Sequence, residues 1–332
     1  MTDVLFLRSD ELADLATPAD YVEWVREGYE SHGNSGSAEP RTKLVSADPP
    51  GMCTGYLAVL PEVGGMGGYT YAAGFGDEDV HFALPLFDAE SGRMLAMLDG
   101  ASMNPFKTGA TGAVAVDELA REDATTCAVI GSGAQARGQL KATATVRDFE
   151  TVRVFSPTPE NREAFAAEFD EQLAADVTAA ESSADAIENA DVVITATKAS
   201  DPVFHDHELP DGAHVTAMGQ YDRGKQEIPP ETVARSTYVP DLRERAFQDA
   251  GAFLHALDGG LIDEDHIHAE LGEVVAGHEP GRTSDDEVTV FDSGGTGIET
   301  VASAWYLYQR ADEQGLGEYI EFLPGSEALT GE

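Results

Sequence analysis

Cys127-Ala128-Val129-Ile130-Gly131-Ser132-Gly133-Ala134-Gln135-Ala136 is the stretch whose reading decides the fold. Four apolar residues make a short buried strand, a glycine pair turns the chain, and an alanine-rich run opens a helix. A Gly-x-Gly-x-x-Ala pattern set between strand and helix is the dinucleotide fingerprint. Gly131 permits the tight turn, Gly133 lets backbone approach a pyrophosphate, and Ala136 lets the helix pack closely. The first helical N–H groups, around Ala134 and Gln135, are the phosphate donors.

Strand and helix keep alternating outward from this turn. Val152–Phe155 leads to a helix over Glu160–Phe169, and Val192–Ala196, Val215–Met218 and Thr237–Val239 read as further strands. Helical stretches are expected around Phe247 and Ile267. Repeated βα units on this spacing imply an α/β protein with a Rossmann-type, doubly wound parallel sheet. Upstream, a strand at Val4–Leu7 precedes a helix from Pro18 to Ser31, with Thr17 as N-cap and Pro18 in the first position. From Pro40 to Asp99, short alternating segments such as Thr54–Leu60 and His81–Phe87 predict an antiparallel sheet with a hairpin at 88–92. An Ala- and Gly-rich helix is expected over Thr108–Leu119, and an amphipathic one over Ile298–Gln314. The 332 residues suffice for two cores. The expected division is a discontinuous substrate-binding and dimerisation domain, 1–112 plus 300–332, and a dinucleotide domain, 113–299.

Sixty-one acidic residues against 20 basic ones give a net charge of −41. Such a field repels nucleic acid and anionic membranes, which excludes both as partners. The acids are scattered through helices and loops, so the reading is a surface adapted to molar salt, as in a halophile. No apolar run approaches the ~20 residues that span a bilayer, and no signal-peptide pattern precedes the charged start, so a cytoplasmic enzyme is expected. The two cysteines make no disulfide framework, and Cys127 reads as an inert core residue. The nine histidines make no metal pattern: His81 and His214 read as structural, and His266 and His268 are wrongly spaced for ligation.

Cofactor choice is read at the end of the second strand, where an acid would hold the ribose of NAD. This chain has Phe155-Ser156-Pro157-Thr158 there, with Arg162 one turn on. A neutral Ser156 in so acidic a protein tilts the choice slightly to NADP over NAD. Thr195 and Thr197, after a later strand, are placed to line the cofactor.

Four stretches taken together resemble the ornithine cyclodeaminase and mu-crystallin family: Leu98-Asp99-Gly100 with Lys107-Thr108-Gly109-Ala110; the glycine turn; Gly212 to Gly219; and Glu270-Leu271-Gly272-Glu273-Val274-Val275-Ala276-Gly277. The resemblance runs from about Pro40 to Tyr308. It implies a Rossmann domain joined to a dimer-forming α/β domain made from both termini, hence a homodimer. It also implies an activity among ornithine cyclodeaminases, alanine dehydrogenases and ketimine or pyrroline-carboxylate reductases. On the same resemblance, Arg41 matches a substrate-carboxylate arginine, Met218 and Gly219 fall among the cofactor-binding residues, Lys225 matches a cofactor-contacting lysine, and Ser293 a serine near the nicotinamide.

The match is incomplete. A family lysine is replaced by Gly67, with Tyr69 taking its place in a shifted register. A second family arginine is Lys107, which keeps the charge and loses the fork. Direct spacing puts Tyr221 on the acid/base aspartate, with Asp222 beside it. The reading is an NAD(P)-dependent oxidoreductase of a small amino or imino acid, with Arg41, Lys107 and Tyr69 on the substrate and Asp222 or Tyr221 moving the proton. The alternatives are an ornithine cyclodeaminase recycling its own NAD, and a non-catalytic binding protein.

Overall fold

The computed structural model describes residues 2–326; residues 327–332 of the expected first domain lie outside them. The chain divides into two units, 1–104 with 296–332, and 105–295. The divide therefore falls at Asn104/Pro105, ahead of the 112/113 expected, because the helix begins at Asn104 and runs unbroken to Leu119. Within the second unit that helix docks on the helix Ala134–Thr143 through glycines. A Cβ on Gly109 would strike the Gly138 carbonyl, and one on Gly138 would strike that of Pro105.

The second unit is built on seven parallel strands in the order Asp176–Ala179, Thr151–Phe155, Thr126–Ile130, Val192–Thr195, His214–Ala217, Thr289–Asp292, Thr237–Pro240. Chain order reverses beside Thr126–Ile130, so the glycine turn leaves the sheet at the switch point where open α/β sheets bind ligands. Alternate residues feed two cores. Ala128, Ile130, Val193, Val215 and Val290 face one side with Tyr238 and Phe253; Cys127, Val129, Val152, Val154 and Ile194 face the other with Phe165 and Phe169. The helix expected around Ile267 is absent. A single 3₁₀ turn, Glu264–His266, precedes Ile267, which pairs with Tyr238 instead, and the helix comes later, at Leu271–Val275.

The first unit carries a mixed eight-stranded sheet. Its path is Glu318–Phe322, Thr2–Leu7, Met94–Asp99, Ala83–Asp88, Gly65–Ala73, Pro50–Leu60, Ser37–Ala38, with Thr42–Ala47 also paired to Pro50–Leu60. The segments from Thr42 to Asp99 pair antiparallel, while Thr2–Leu7 runs parallel to Met94–Asp99. The helix Pro18–Asn34 opens on a Thr17–Asp20 capping box and meets the helix Gly297–Gln314, where a Cβ on Gly28 would sit 2.7 Å from that of Ala302. Leu44, Val45, Leu57 and Val59 lie exposed on the neighbouring strands Thr42–Ala47 and Pro50–Leu60. Among the described residues, no helix is long and apolar enough to cross a membrane, and no cluster of acids, histidines and cysteines could hold a metal.

Candidate functional site

Each residue of the glycine turn has a distinct geometric task. Gly131 has φ +127°, its N–H donates to Phe155 O at 2.8 Å, and an added Cβ would run into the Ala196 carbonyl. Gly133 is exposed with nothing within 4 Å of an added Cβ, and it caps the helix that starts at the exposed Ala134. Buried Ala136 faces the core beneath. An open glycine at a helix N-terminus is the surface a pyrophosphate requires, so these residues fit a dinucleotide. Gln135 stands in the first turn with its Oε1 buried.

At the carboxyl end of the strand Thr151–Phe155, Ser156 is buried and its hydroxyl accepts from Ser132 at 3.0 Å. Arg162 folds down under the strand end: Nη1 donates to Ser156 O at 3.1 Å, Nη2 lies 3.4 Å from Glu181, and the guanidinium covers the Phe155 ring. A 2′-phosphate would have to compete for those donors. Thr158 is exposed and caps the helix Pro159–Asp170.

Along the carboxyl ends of the central strands, Thr195 and Thr197 sit beside Met218 and Gly219, with Met218 N donating to Thr195 O at 2.9 Å. The acid Glu227 bonds to three of these residues; burial pushes its carboxyl above the usual range while the N–H and hydroxyl groups around it pull the other way. The loop beyond Gly219 carries the two acid/base candidates to different places. Asp222 is exposed, and its Oδ1 is spent on Gly224 N at 2.9 Å. Tyr221 is half-buried, and its Cβ lies 3.2 Å from where a Cβ on Gly294 would be. Lys225 lines a cleft with Gln220, Glu227 and Asp292.

Ser293 is held by a buried ionic network that sequence reasoning missed. Its hydroxyl donates to Asp241 Oδ2 at 2.7 Å, and Gly294 N donates to the same oxygen at 3.0 Å. Asp241 Oδ1 accepts from Arg245 Nε at 2.8 Å, and Arg245 Nη2 donates to Asp292 Oδ1 at 2.8 Å. Arg245 is 1% exposed, with Asp249 as a third acid at 3.9 Å. Burial raises the Asp292 carboxyl, and the surrounding acids hold the guanidinium strongly charged. Only the i, i+4 spacing of Asp241 and Arg245 hinted at this network.

In the first unit, Arg41 is 6% exposed; Nη1 donates to the Tyr71 hydroxyl at 3.1 Å and the guanidinium lies 5.1 Å over the Tyr56 ring. Tyr69, expected on the substrate, is placed in the core instead: it is fully buried, touches Tyr56 and Phe82, and its hydroxyl donates to Gly100 O at 2.6 Å. Gly67 has φ +146°, and a Cβ there would strike the Pro85 carbonyl, so this backbone has no room for a lysine. Lys107, in the second unit, is fully buried in the first turn of its helix.

His214 is a core histidine. His214 is fully buried between Thr289 and Thr216, each at 2.9 Å, and desolvation brings it down to about 3. Burial pushes the Cys127 thiol up, which keeps it protonated and inert.

Residues 67–315 match the model of the ornithine cyclodeaminase/mu-crystallin family. The chain is 38% identical over 248 residues to Delta(1)-pyrroline-2-carboxylate reductase of Bacillus cereus, covering 74% of this chain and 76% of that one. It superposes with a TM-score of 0.89 on the Thermococcus litoralis Delta(1)-pyrroline-2-carboxylate reductase in complex with NADH and L-proline, at 31% identity over 96% of this chain and 100% of the other. An archaeal alanine dehydrogenase dimer with bound NAD gives the same TM-score, at 28% identity over 97% of this chain and 100% of that one. With the glycine turn, the parallel sheet and the Gly212–Gly219 segment all in place, the chain belongs to the ornithine cyclodeaminase/mu-crystallin family.

Proposed function

We propose that this chain is an NAD(P)-dependent oxidoreductase that reduces a small imino acid, of the kind pyrroline-2-carboxylate exemplifies, and oxidises the matching amino acid in reverse. The carrying observation is that one chain holds an open glycine turn at the sheet's switch point and a buried guanidinium, Arg41, braced by Tyr71 and Tyr56. Arg41 presents the planar fork that fits a carboxylate. Bound NADH or NADPH supplies the hydride. Tyr221 holds and delivers the proton at the substrate nitrogen; Asp222 is exposed and already engaged with Gly224 N. Lys225, Thr197 and Ser293 line the cofactor side.

Both reductases and an alanine dehydrogenase among the relatives fit this reading, and the solved ones hold NADH or NAD. The slight tilt to NADP rests on the neutral Ser156; the bonds already made by Arg162 weigh against it. We take the assembly to be a homodimer, the assembly of the archaeal alanine dehydrogenase relative. A monomer's mass by light scattering rejects that.

The assay supplies NADH or NADPH with pyrroline-2-carboxylate, or with pyruvate and ammonia, in concentrated salt. Cofactor oxidation is the expected result; proline formed from ornithine without net cofactor change reassigns the chain as a cyclodeaminase. Tyr221→Phe should lower kcat by roughly 10²-fold or more with NADH affinity intact, and Asp222→Asn by only a few-fold. The reverse pattern moves the proton to Asp222.

A further inference from the structure

The strands Val192–Thr195 and His214–Ala217 lie side by side, and each releases a loop at its carboxyl end. A carboxylate from a third segment reaches both loops. Glu227 Oε1 accepts from Thr197 N at 2.6 Å, and Oε2 accepts from Gly219 N at 2.6 Å and from the Thr195 hydroxyl at 3.2 Å. Gln220 adds a parallel bridge, Nε2 donating to Thr197 O at 3.0 Å. The main chain of Glu227 is itself fixed, its carbonyl accepting from Val203 N at 2.8 Å.

Three features tie this arrangement to the dinucleotide side. The Thr195–Thr197 loop is the wall of the glycine turn: Ala196 N donates to Ile130 O at 2.9 Å, and the Ala196 carbonyl fills the space where Gly131 lacks a side chain. Gly219 has no side chain for the same kind of reason, since a Cβ there would land on the Glu227 carboxylate. Glu227 is only 3% exposed, a costly place for a carboxylate unless its bonds do something an amide cannot. The two oxygens face two main-chain N–H groups on different loops. An amide would turn an NH₂ toward one of them.

We propose that Glu227 is a positioning residue for the cofactor, its carboxylate setting the spacing of the 195–197 and 218–220 loops against the glycine turn. The inference rests on reading Thr195, Thr197 and Gly219 as cofactor-side residues. It gives Gly219 and Gln220 their reasons as well. Gly219 makes room for the carboxylate, and Gln220 doubles the bridge.

The same sheet supplies an internal control. Asp191 precedes Val192–Thr195 at the amino end and clamps main chain in the same way, accepting from Thr125 N and Thr126 N at 2.9 Å each and from Arg121 at 2.5 Å. It lies at the end of the strands opposite the glycine turn. NADH titration and thermal melting of the full chain are compared for Glu227→Gln and Asp191→Asn. Both should lower Tm, but Glu227→Gln should raise the NADH Kd about tenfold or more while Asp191→Asn leaves it within about twofold. Gln220→Ala, which removes only the lesser bridge, should raise Kd about threefold with Tm nearly unchanged, and this readout stands if Glu227→Gln does not fold. An unchanged Kd in Gln220→Ala, or equal Kd changes in Glu227→Gln and Asp191→Asn, overturns the inference alone. Failure of the unaltered chain to bind NADH overturns the dinucleotide reading beneath it.

Discussion

The two units place their polar groups by different rules. The second unit gathers buried charge at one end of a parallel sheet, where Glu227, Asp241, Asp292 and Arg245 brace loops that follow the strands. The first unit threads glycines through antiparallel strands and surrounds one buried arginine with aromatic rings. In the second, topology selects the site, because every strand ends on the same side. In the first, the site depends on which distant strands pair, and small changes in strand backbone decide which side chains have room.

The largest expected effect tests the buried network. Arg245→Met should destabilise the protein by about 3–5 kcal/mol, since it strands Asp241 without its buried counter-charge. Asp292→Asn should cost much less, because burial already favours the neutral form of that carboxyl. Urea unfolding distinguishes them. Trp24 and Trp305, the chain's two tryptophans, both belong to the first unit, so their fluorescence reports that unit while NADH binding reports the other. Tryptophan and NADH signals lost together in Arg245→Met would break the contrast and show the units to unfold as one.

What the sequence made legible follows the same division. The glycine turn could be read because strand, turn and helix lie within a dozen consecutive residues. Asp176–Ala179 and Thr289–Asp292 escaped, and Thr289–Asp292 inserts itself between strands that precede it in the chain. Glu227 and Asp241 escaped because the bonds that tie them to Thr197 and Ser293 span 30 and 52 residues. No local signal marks such bonds. Gly67 reads in the sequence as a departure from the resembling family, and the backbone angle it adopts is visible only in three dimensions. Tyr69 reads as a substrate residue and its hydroxyl meets the Gly100 carbonyl, and a tyrosine on an alternating strand looks the same in sequence whether its hydroxyl meets a ligand or main chain.

The next effect sharpens the contrast from the substrate side. Arg41→Lys keeps the charge but loses the planar fork and the face that lies over Tyr56. A loss of roughly 10–100-fold in kcat/KM for the imino acid is expected, with NADH affinity unchanged. If NADH affinity falls as far as substrate affinity, Arg41 serves the fold and not the carboxylate.

The smallest effect concerns the surface, where the two units should behave alike. A net charge of −41 carried on acids in both units repels itself in dilute buffer, and ion pairs such as Glu318 with Arg8 or Asp20 with Arg310 offset only part of it, since 61 acids face 20 basic residues. Raising salt from about 0.1 M to about 1 M shortens the screening length from about 10 Å to about 3 Å, so repulsion between neighbouring surface carboxylates fades. Relief of about 1–2 kcal/mol corresponds to a rise in Tm of roughly 1–3 °C for a chain of this size. Tryptophan fluorescence and NADH binding should both show it. Full activity and an unchanged Tm without added salt reject the adaptation to concentrated salt. A rise confined to one probe would place the repulsion in a single unit, and the even scatter of acids along the chain argues against that outcome.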